Sequence, residues 1–244
     1  MDHISPENLL FIDVETIPQF PGYDKMPENL KKLWNKKAEF LAKEDETPAD
    51  IFQRSGIYAE FGKIICISVG HLHKSGDKEM IRIKSFAGEH EKTVLEDFRQ
   101  MLIKYGKVRD FSLCAHNGKE FDFPYIARRM LVNEIELPPV LDIAGKKPWE
   151  IRHVDTMELW KFGDYKNYTS LELLTTVFNI PTPKDDIDGS MVADVYWKEK
   201  NLQRIVNYCE KDVISIIQLV LKFKGRDVIP EDCVENITPP QLLL

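Results

Sequence analysis

The chain has 244 residues, 43% hydrophobic and 30% charged, enough for one large domain or one domain with a sizeable insertion. A net charge of −7 argues against a protein that coats nucleic acid, because phosphate neutralisation draws on Lys and Arg. It does not argue against an enzyme that grips one strand end. No apolar run reaches the length of a membrane span, no signal pattern opens the chain, and the four cysteines are scattered. The expectation is a cytoplasmic protein with neither a disulfide framework nor a thiolate zinc site.

Residues 9–15 (Leu-Leu-Phe-Ile-Asp-Val-Glu) read as a strand buried on both faces and interrupted by two acids. Pro18, Pro21, Gly22 and Pro27 mark a loop. Residues 28–42 form a Lys-rich helical pattern, and a shorter helical piece precedes Gly56. Lysines 31, 32, 36 and 37 lie along that first helix, read chiefly as a solvated face. Two strands follow at 63–73 and 79–86, joined by a turn at Ser75-Gly76-Asp77. A helix is predicted over 89–105, a strand over 111–115 and a further helix through Arg129. A strand near 151–154 leads to Asp155, read as the N-cap before Thr156. Thr169 and Glu172 have capping-box spacing for a helix through Phe178, and 202–223 carries a long apolar stripe. This order predicts an α/β layer with a mixed sheet whose antiparallel portion comes first.

Three acidic clusters interrupt this pattern. Asp13 and Glu15 are two apart in a strand and point to one face, where two like charges are costly to bury. Asp122 follows the turn His116-Asn117-Gly118 at the start of a helix, a place where acids commonly just meet the helix dipole. Tyr208 and Asp212 are four apart in the last helix and share a face at the flank of its stripe. Taken singly, each has a structural reading: a strand end reaching solvent, a dipole-stabilising acid, a core-edge tyrosine. An aspartyl-phosphate phosphatase motif of the form Asp-x-Asp-x-Thr is disfavoured, because Glu15 stands second and Thr16 follows it directly.

Together, Phe-Ile-Asp13-Val-Glu15-Thr16, Asn117-x-x-x-Phe121-Asp122 and Tyr208-x-x-x-Asp212 resemble the three motifs of DEDD-superfamily exonucleases, tyrosine subclass. The second motif is similar to that of family-B DNA polymerase exonuclease domains, and the chain as a whole resembles stand-alone exonucleases related to them. The resemblance implies a ribonuclease H-like fold, a five-stranded mixed sheet flanked by helices, as one 3′→5′ exonuclease domain over 1–244. A helical insertion at about 18–56 and a C-terminal tail from about 225 would decorate it. It implies two divalent ions, Mg²⁺ or Mn²⁺, with Asp13, Glu15 and Asp212 on one and Asp13 and Asp122 on the other. Tyr208 would position the attacking water, and Thr16, Asn117 and Phe121 would contact substrate; for Phe121, core packing is the competing role. The implied partner is a single-stranded DNA 3′ end. RNA ends are the alternative, a non-catalytic nucleic-acid-binding module the rival class, and neither a membrane nor a protein partner is indicated.

Overall fold

The computed structural model describes residues 1, 4–164, 168–181 and 187–239. Its strands are β1 (Leu9–Pro18), β2 (Gly62–Ser75), β3 (Lys78–Ala87), β4 (Ser112–Ala115), β5 (Val154–Asp155) and β6 (Val234–Asn236). They form one sheet in the order β5-β4-β1-β2-β3-β6. Pairs β1–β2 and β2–β3 are antiparallel, and β1–β4, β4–β5 and β3–β6 are parallel. The mixed α/β architecture matches the expectation, with six strands in place of five. The helices are α1 (Glu28–Ala38), α2 (Glu91–Val108), α3 (Asp122–Val132), α4 (Thr156–Lys161), α5 (Leu171–Val177), α6 (Val192–Asp194) and α7 (Leu202–Phe223). None is long and apolar enough to cross a membrane among the described residues, and all four cysteines are free and buried.

Strand β1 separates two cores, and its period of two decides which residue enters which. Leu10, Ile12 and Val14 pack with Phe98 of α2 and with Phe123 and Ile126 of α3. Leu9 and Phe11 pack with Val213, Ile216, Ile217 and Val220 of α7, and Ile17 with Val206 and Cys209. Asp13 and Glu15 share this odd-numbered parity, so the same alternation that builds the core aims both acids at α7. Gly70 permits the close packing, since a Cβ there would lie 2.7 Å from Val213 Cγ1. Each buried Ile or Val of α7 contributes about 2 kcal/mol of apolar burial, which anchors the helix along the sheet.

The tail segment completes the sheet. Ile81 and Ile83 of β3 pair with Val234 and Asn236, and buried Glu210 of α7 accepts hydrogen bonds from Ser85, Thr238 and Asn236. Residues 19–61 form a smaller core of their own, where fully buried Trp34 meets Phe52 and Phe61 and donates to Pro48 O. Arg129 and Tyr125 of α3 tie this segment down by donating to Ala59 O and Gly56 O. Several local expectations shift. Helix α1 ends at Ala38 rather than near residue 42, and the piece before Gly56 is a 3₁₀ helix, Phe52–Ile57. Ser170, not Thr169, caps α5, its hydroxyl accepting from Leu173 N. On α1, Lys31 lies over the Tyr23 ring and Lys37 over Tyr58.

Candidate active site

The acids of β1 meet α7 near the end of the strand. Strand pairing slips between Glu15, opposite Cys66, and Thr16, opposite Ile64, so Ile65 is the extra residue of a bulge beside the acids. From α7, Tyr208, Cys209 and Asp212 face this point. Oxygens of Asp13 and Glu15 and the Cys209 sulfur lie within 4.8 Å of one another. Cys209 also donates its S–H to Asp13 O at 3.4 Å. Tyr208 is hydrogen-bonded through its side chain to Asp212, one helical turn further on.

Asp122 arrives from the opposite side of β1, on the first residue of α3. The turn that delivers it is tightly specified. Asn117 takes a left-handed conformation, φ 63°, and a Cβ on Gly118 would lie 2.4 Å from Ala115 Cβ. Asp155 clamps the turn: its carboxylate accepts from the backbone N–H groups of Asn117, Lys119, Met157 and Glu158 at 3.0–3.2 Å. It caps α4 as expected and spends its lone pairs on four donors, which leaves it poorly suited to a metal. His116 Nδ1 lies 2.9 Å from Thr156 Oγ1 and Nε2 lies 2.8 Å from Thr169 O. A carbonyl can only accept, so Nε2 carries the proton, Nδ1 accepts from the hydroxyl, and burial lowers the imidazole pKa to keep it neutral. The Val14 N–H, between the two β1 acids, donates toward Asp122.

The electrostatics are those of acids without enough cations. Glu15 and Asp122 are 7% and 4% exposed. Burial, then the neighbouring Asp122 charge, pushes Asp13 up to about 7. Burial, then Asp155 and Asp212, pushes Asp122 up to about 8. Glu15 is raised well above the ordinary range by burial, then by Asp13 and Asp212. Tyr208 is raised by burial, then by Asp212, so its phenol stays protonated. Asp13 Oδ2 is buried with no hydrogen-bond partner. An orphaned carboxylate oxygen among like charges fits a divalent cation, and oxygen donors select a hard one. Cys209 does not alter that choice, because burial holds its thiol well above its ordinary range and so uncharged.

The remaining sequence candidates divide. Thr16 is half-buried just past the bulge, hydrogen-bonded to Tyr125. Asn117 Oδ1 is buried without a partner. Beside it opens a pocket of about 220 Å³ lined by Lys119, Glu120, Asp155 and Lys161. Phe121 is half-buried, its ring 5.2 Å from Tyr125 and packed on the α2–α3 core, so packing accounts for much of its role. Cys209 was read in the sequence only as part of the apolar stripe, although its spacing of three from Asp212 puts both on one helix face. Tyr168, largely exposed but with its phenol partly covered, also belongs to this neighbourhood: that partial covering, then Asp122, Asp155 and Glu120, raises it. No local pattern in the sequence marks it.

Residues 57–229 match the family described as predicted 3′-5′ exonucleases related to the exonuclease domain of PolB. The chain belongs to this family. Asp122, Tyr208 and Asp212 lie inside the matched stretch, and Asp13 and Glu15 precede it. Among solved structures, the family B DNA polymerase from the hyperthermophilic archaeon Pyrobaculum calidifontis is similar, with a TM-score of 0.52 at 17% identity. The likeness covers 90% of this chain and 25% of the polymerase, so the chain spans a quarter of that protein's length and shares the fold of that part. No match is found among curated proteins.

Proposed function

We propose that this protein hydrolyses the terminal phosphodiester at single-stranded DNA 3′ ends, releasing nucleoside 5′-monophosphates in a divalent-metal-dependent reaction. The observation that carries this reading is buried Glu15 and Asp122 beside half-buried Asp13, whose Oδ2 is buried and unpartnered, facing Tyr208 and Asp212 in a member of an exonuclease family. The whole chain is read as one exonuclease domain, with residues 18–56 as a helical insertion and those from 225 as a tail that closes the sheet.

Asp13, Glu15 and Asp212 would hold one Mg²⁺ or Mn²⁺, and Asp13 with Asp122 a second. Such a pair, when bound, supplies an acidified water and charge stabilisation at the phosphoryl and leaving oxygens. The chain's own groups do the rest. Tyr208, whose phenol keeps its proton, orients water as a hydrogen-bonding group rather than acting as a base. Asp155 holds the Asn117 turn and so fixes where Asp122 enters. Asn117 and Thr16 would contact the terminal nucleotide, and the exposed part of Phe121 would flank its base.

The test is a 5′-labelled single-stranded DNA oligonucleotide incubated with Mn²⁺, beside an EDTA control and an Asp13→Ala variant. The expected result is a ladder shortening from the 3′ end in the first sample alone. Degradation of matched RNA but not DNA would move the substrate class. Survival of both with folded protein would leave a binding module.

A further inference from the structure

Past the acids, two lysines converge on one aromatic pair. Lys63 of β2 sits opposite Ile17 of β1, and Lys200 follows the helical turn Val195–Glu199 with φ 56°. The Lys63 ammonium lies 4.8 Å from the Tyr196 ring centroid and 5.1 Å from that of Trp197. The Lys200 ammonium lies 5.9 and 5.0 Å from the same two rings. The rings meet edge to face at 4.9 Å, and Trp197 Nε1 donates to Pro18 O at 3.3 Å. Trp197 and Tyr208 pack against one cluster containing Ile17, Cys66 and Cys209. The lysine pair therefore lies past the acids along β1: from Glu15 to Pro18, which Trp197 touches, is about 10 Å of strand.

Holding two ammonium groups over one indole sets like charges against each other. Among the described residues, neither has a carboxylate within salt-bridge distance; the Lys63 ammonium donates to Tyr196 Oη at 3.2 Å and to Glu89 O at 3.5 Å, and feels the Glu91 and Glu89 charges from further off. The left-handed conformation of Lys200 would suit glycine or asparagine better and adds a cost of about 1 kcal/mol or more. Cation–π contacts of about 0.5–1 kcal/mol each hold the heads in place without neutralising them. What relieves such a pair is an anion. In a chain of net charge −7, two cations held without a salt bridge past the acids answer the need of a polyanionic strand. The ammonium heads lie over the rings, which favours phosphate over stacked bases as their ligand.

We propose that Lys63 and Lys200, held on Tyr196 and Trp197, bind the phosphodiester backbone of a single strand. Their phosphates lie on the 5′ side of the residue removed at the acids. The direction rests on the exonuclease reading, because a strand whose 3′ end lies at the acids has phosphates only on its 5′ side.

The experiment is fluorescence anisotropy with 5′-fluorescein oligodeoxynucleotides of about two and about twelve nucleotides, the shorter placing its one internucleotide phosphate at the acids and the longer reaching past the lysines. Ca²⁺ replaces Mn²⁺, so binding is read apart from cleavage. The Lys63→Ala/Lys200→Ala protein is expected to lose about tenfold in affinity for the longer strand. It should lose about 1.4 from the slope of log K against log salt, at about 0.7 per phosphate. The shorter strand should be affected far less. Lys200→Ala alone, on an exposed side chain, should fold normally and show part of the loss, and Lys200→Arg should regain it. Lys147→Ala, which removes another lysine-on-tryptophan contact, serves as the control and should bind as wild type. Wild-type affinity and slope in the double variant would overturn the proposal, as would an equal loss at both lengths. A protein that shows the length-dependent loss yet cleaves nothing would keep the subsite and overturn the nuclease reading; one that cleaves while the double variant binds normally would do the reverse.

Discussion

Buried acids occur in two kinds of place in this molecule. In the scaffold they are saturated. Glu91 accepts from Ile64 N, both arms of Arg129 and Asn133. Asp155 takes four backbone donors, and Glu210 takes Ser85, Thr238 and Asn236. Between β1, α3 and α7 the balance differs: Asp13, Glu15 and Asp122 face one another, Asp122 has the Val14 N–H, and one oxygen of Asp13 has no partner at all. A fold able to satisfy its buried carboxylates elsewhere leaves this group short of donors, which fits the cation proposed to bind there. The difference is chemical, because burial alone is similar in both places.

The largest effect expected from breaking this contrast is on catalysis. Asp13→Asn should lower kcat by roughly 10³-fold or more, the order associated with losing metal-based charge stabilisation. The same variant should unfold at a higher temperature than the metal-free wild type, since it removes a buried charge that burial and Asp122 disfavour. A lower melting temperature in EDTA would mean that Asp13 is satisfied after all. The scaffold counterpart runs the other way. Arg129→Met strands the Glu91 carboxylate and should cost about 3–5 kcal/mol in urea denaturation. A loss below about 1 kcal/mol would erase the distinction.

Metal and pH sharpen the comparison without mutation. Asp13 and Asp122 have folded values of about 7 and about 8, against 3.8 for the ordinary side chain. The metal-free folded state therefore holds protons that the unfolded chain has released. Its stability contribution from these groups is full below pH 3.8 and declines as pH rises toward about 8. Metal binding needs the deprotonated carboxylates, so the melting-temperature gain on adding Mn²⁺ should grow over the same interval. At a hundredfold excess over Kd that gain corresponds to about 2.7 kcal/mol. A gain independent of pH would place the ion elsewhere.

Where the site's acids stand is largely readable in the sequence, for reasons of period. Alternation in β1 puts Asp13 and Glu15 on one face, and the apolar stripe predicts a helix over 202–223, which stands as Leu202–Phe223 behind an Asn201 cap. What stayed hidden depends on partners distant in the chain. The three residues of β6 have no pattern of their own and become a strand only because β3 and Glu210 receive them. Whether an acid is saturated is equally illegible: Glu91 and Glu210 look like any other acids until Arg129 and Thr238 come to them, and the cap role of Asp155 is legible but not its clamp on the Asn117 turn. Cys209 was legible as a helix-stripe residue but not as a neighbour of Asp13, because that contact joins positions 196 apart.

Asp155 gives the smallest predicted effect and the finest discrimination. It follows an apolar strand, lies near Asp122 and contributes to raising that residue's pKa, so a fifth ligand in the metal site is the natural rival reading. Its hydrogen bonds argue otherwise, and Asp155→Asn separates the two. An asparagine oxygen in the place of Oδ1 can keep the bonds from Asn117, Met157 and Glu158. The new amide would face the Lys119 N–H, donor against donor, where Oδ2 now accepts. The clamp reading predicts a loss of about 1–2 kcal/mol in stability. It also predicts an Mn²⁺ affinity close to wild type by calorimetry, because the acids that would hold the ion are untouched. A ligand would behave differently: replacing a carboxylate on the ion by an amide weakens binding directly, with no need for the turn to loosen. A variant as stable as wild type but poor in Mn²⁺ binding would transfer Asp155 from the satisfied acids to the unsatisfied ones.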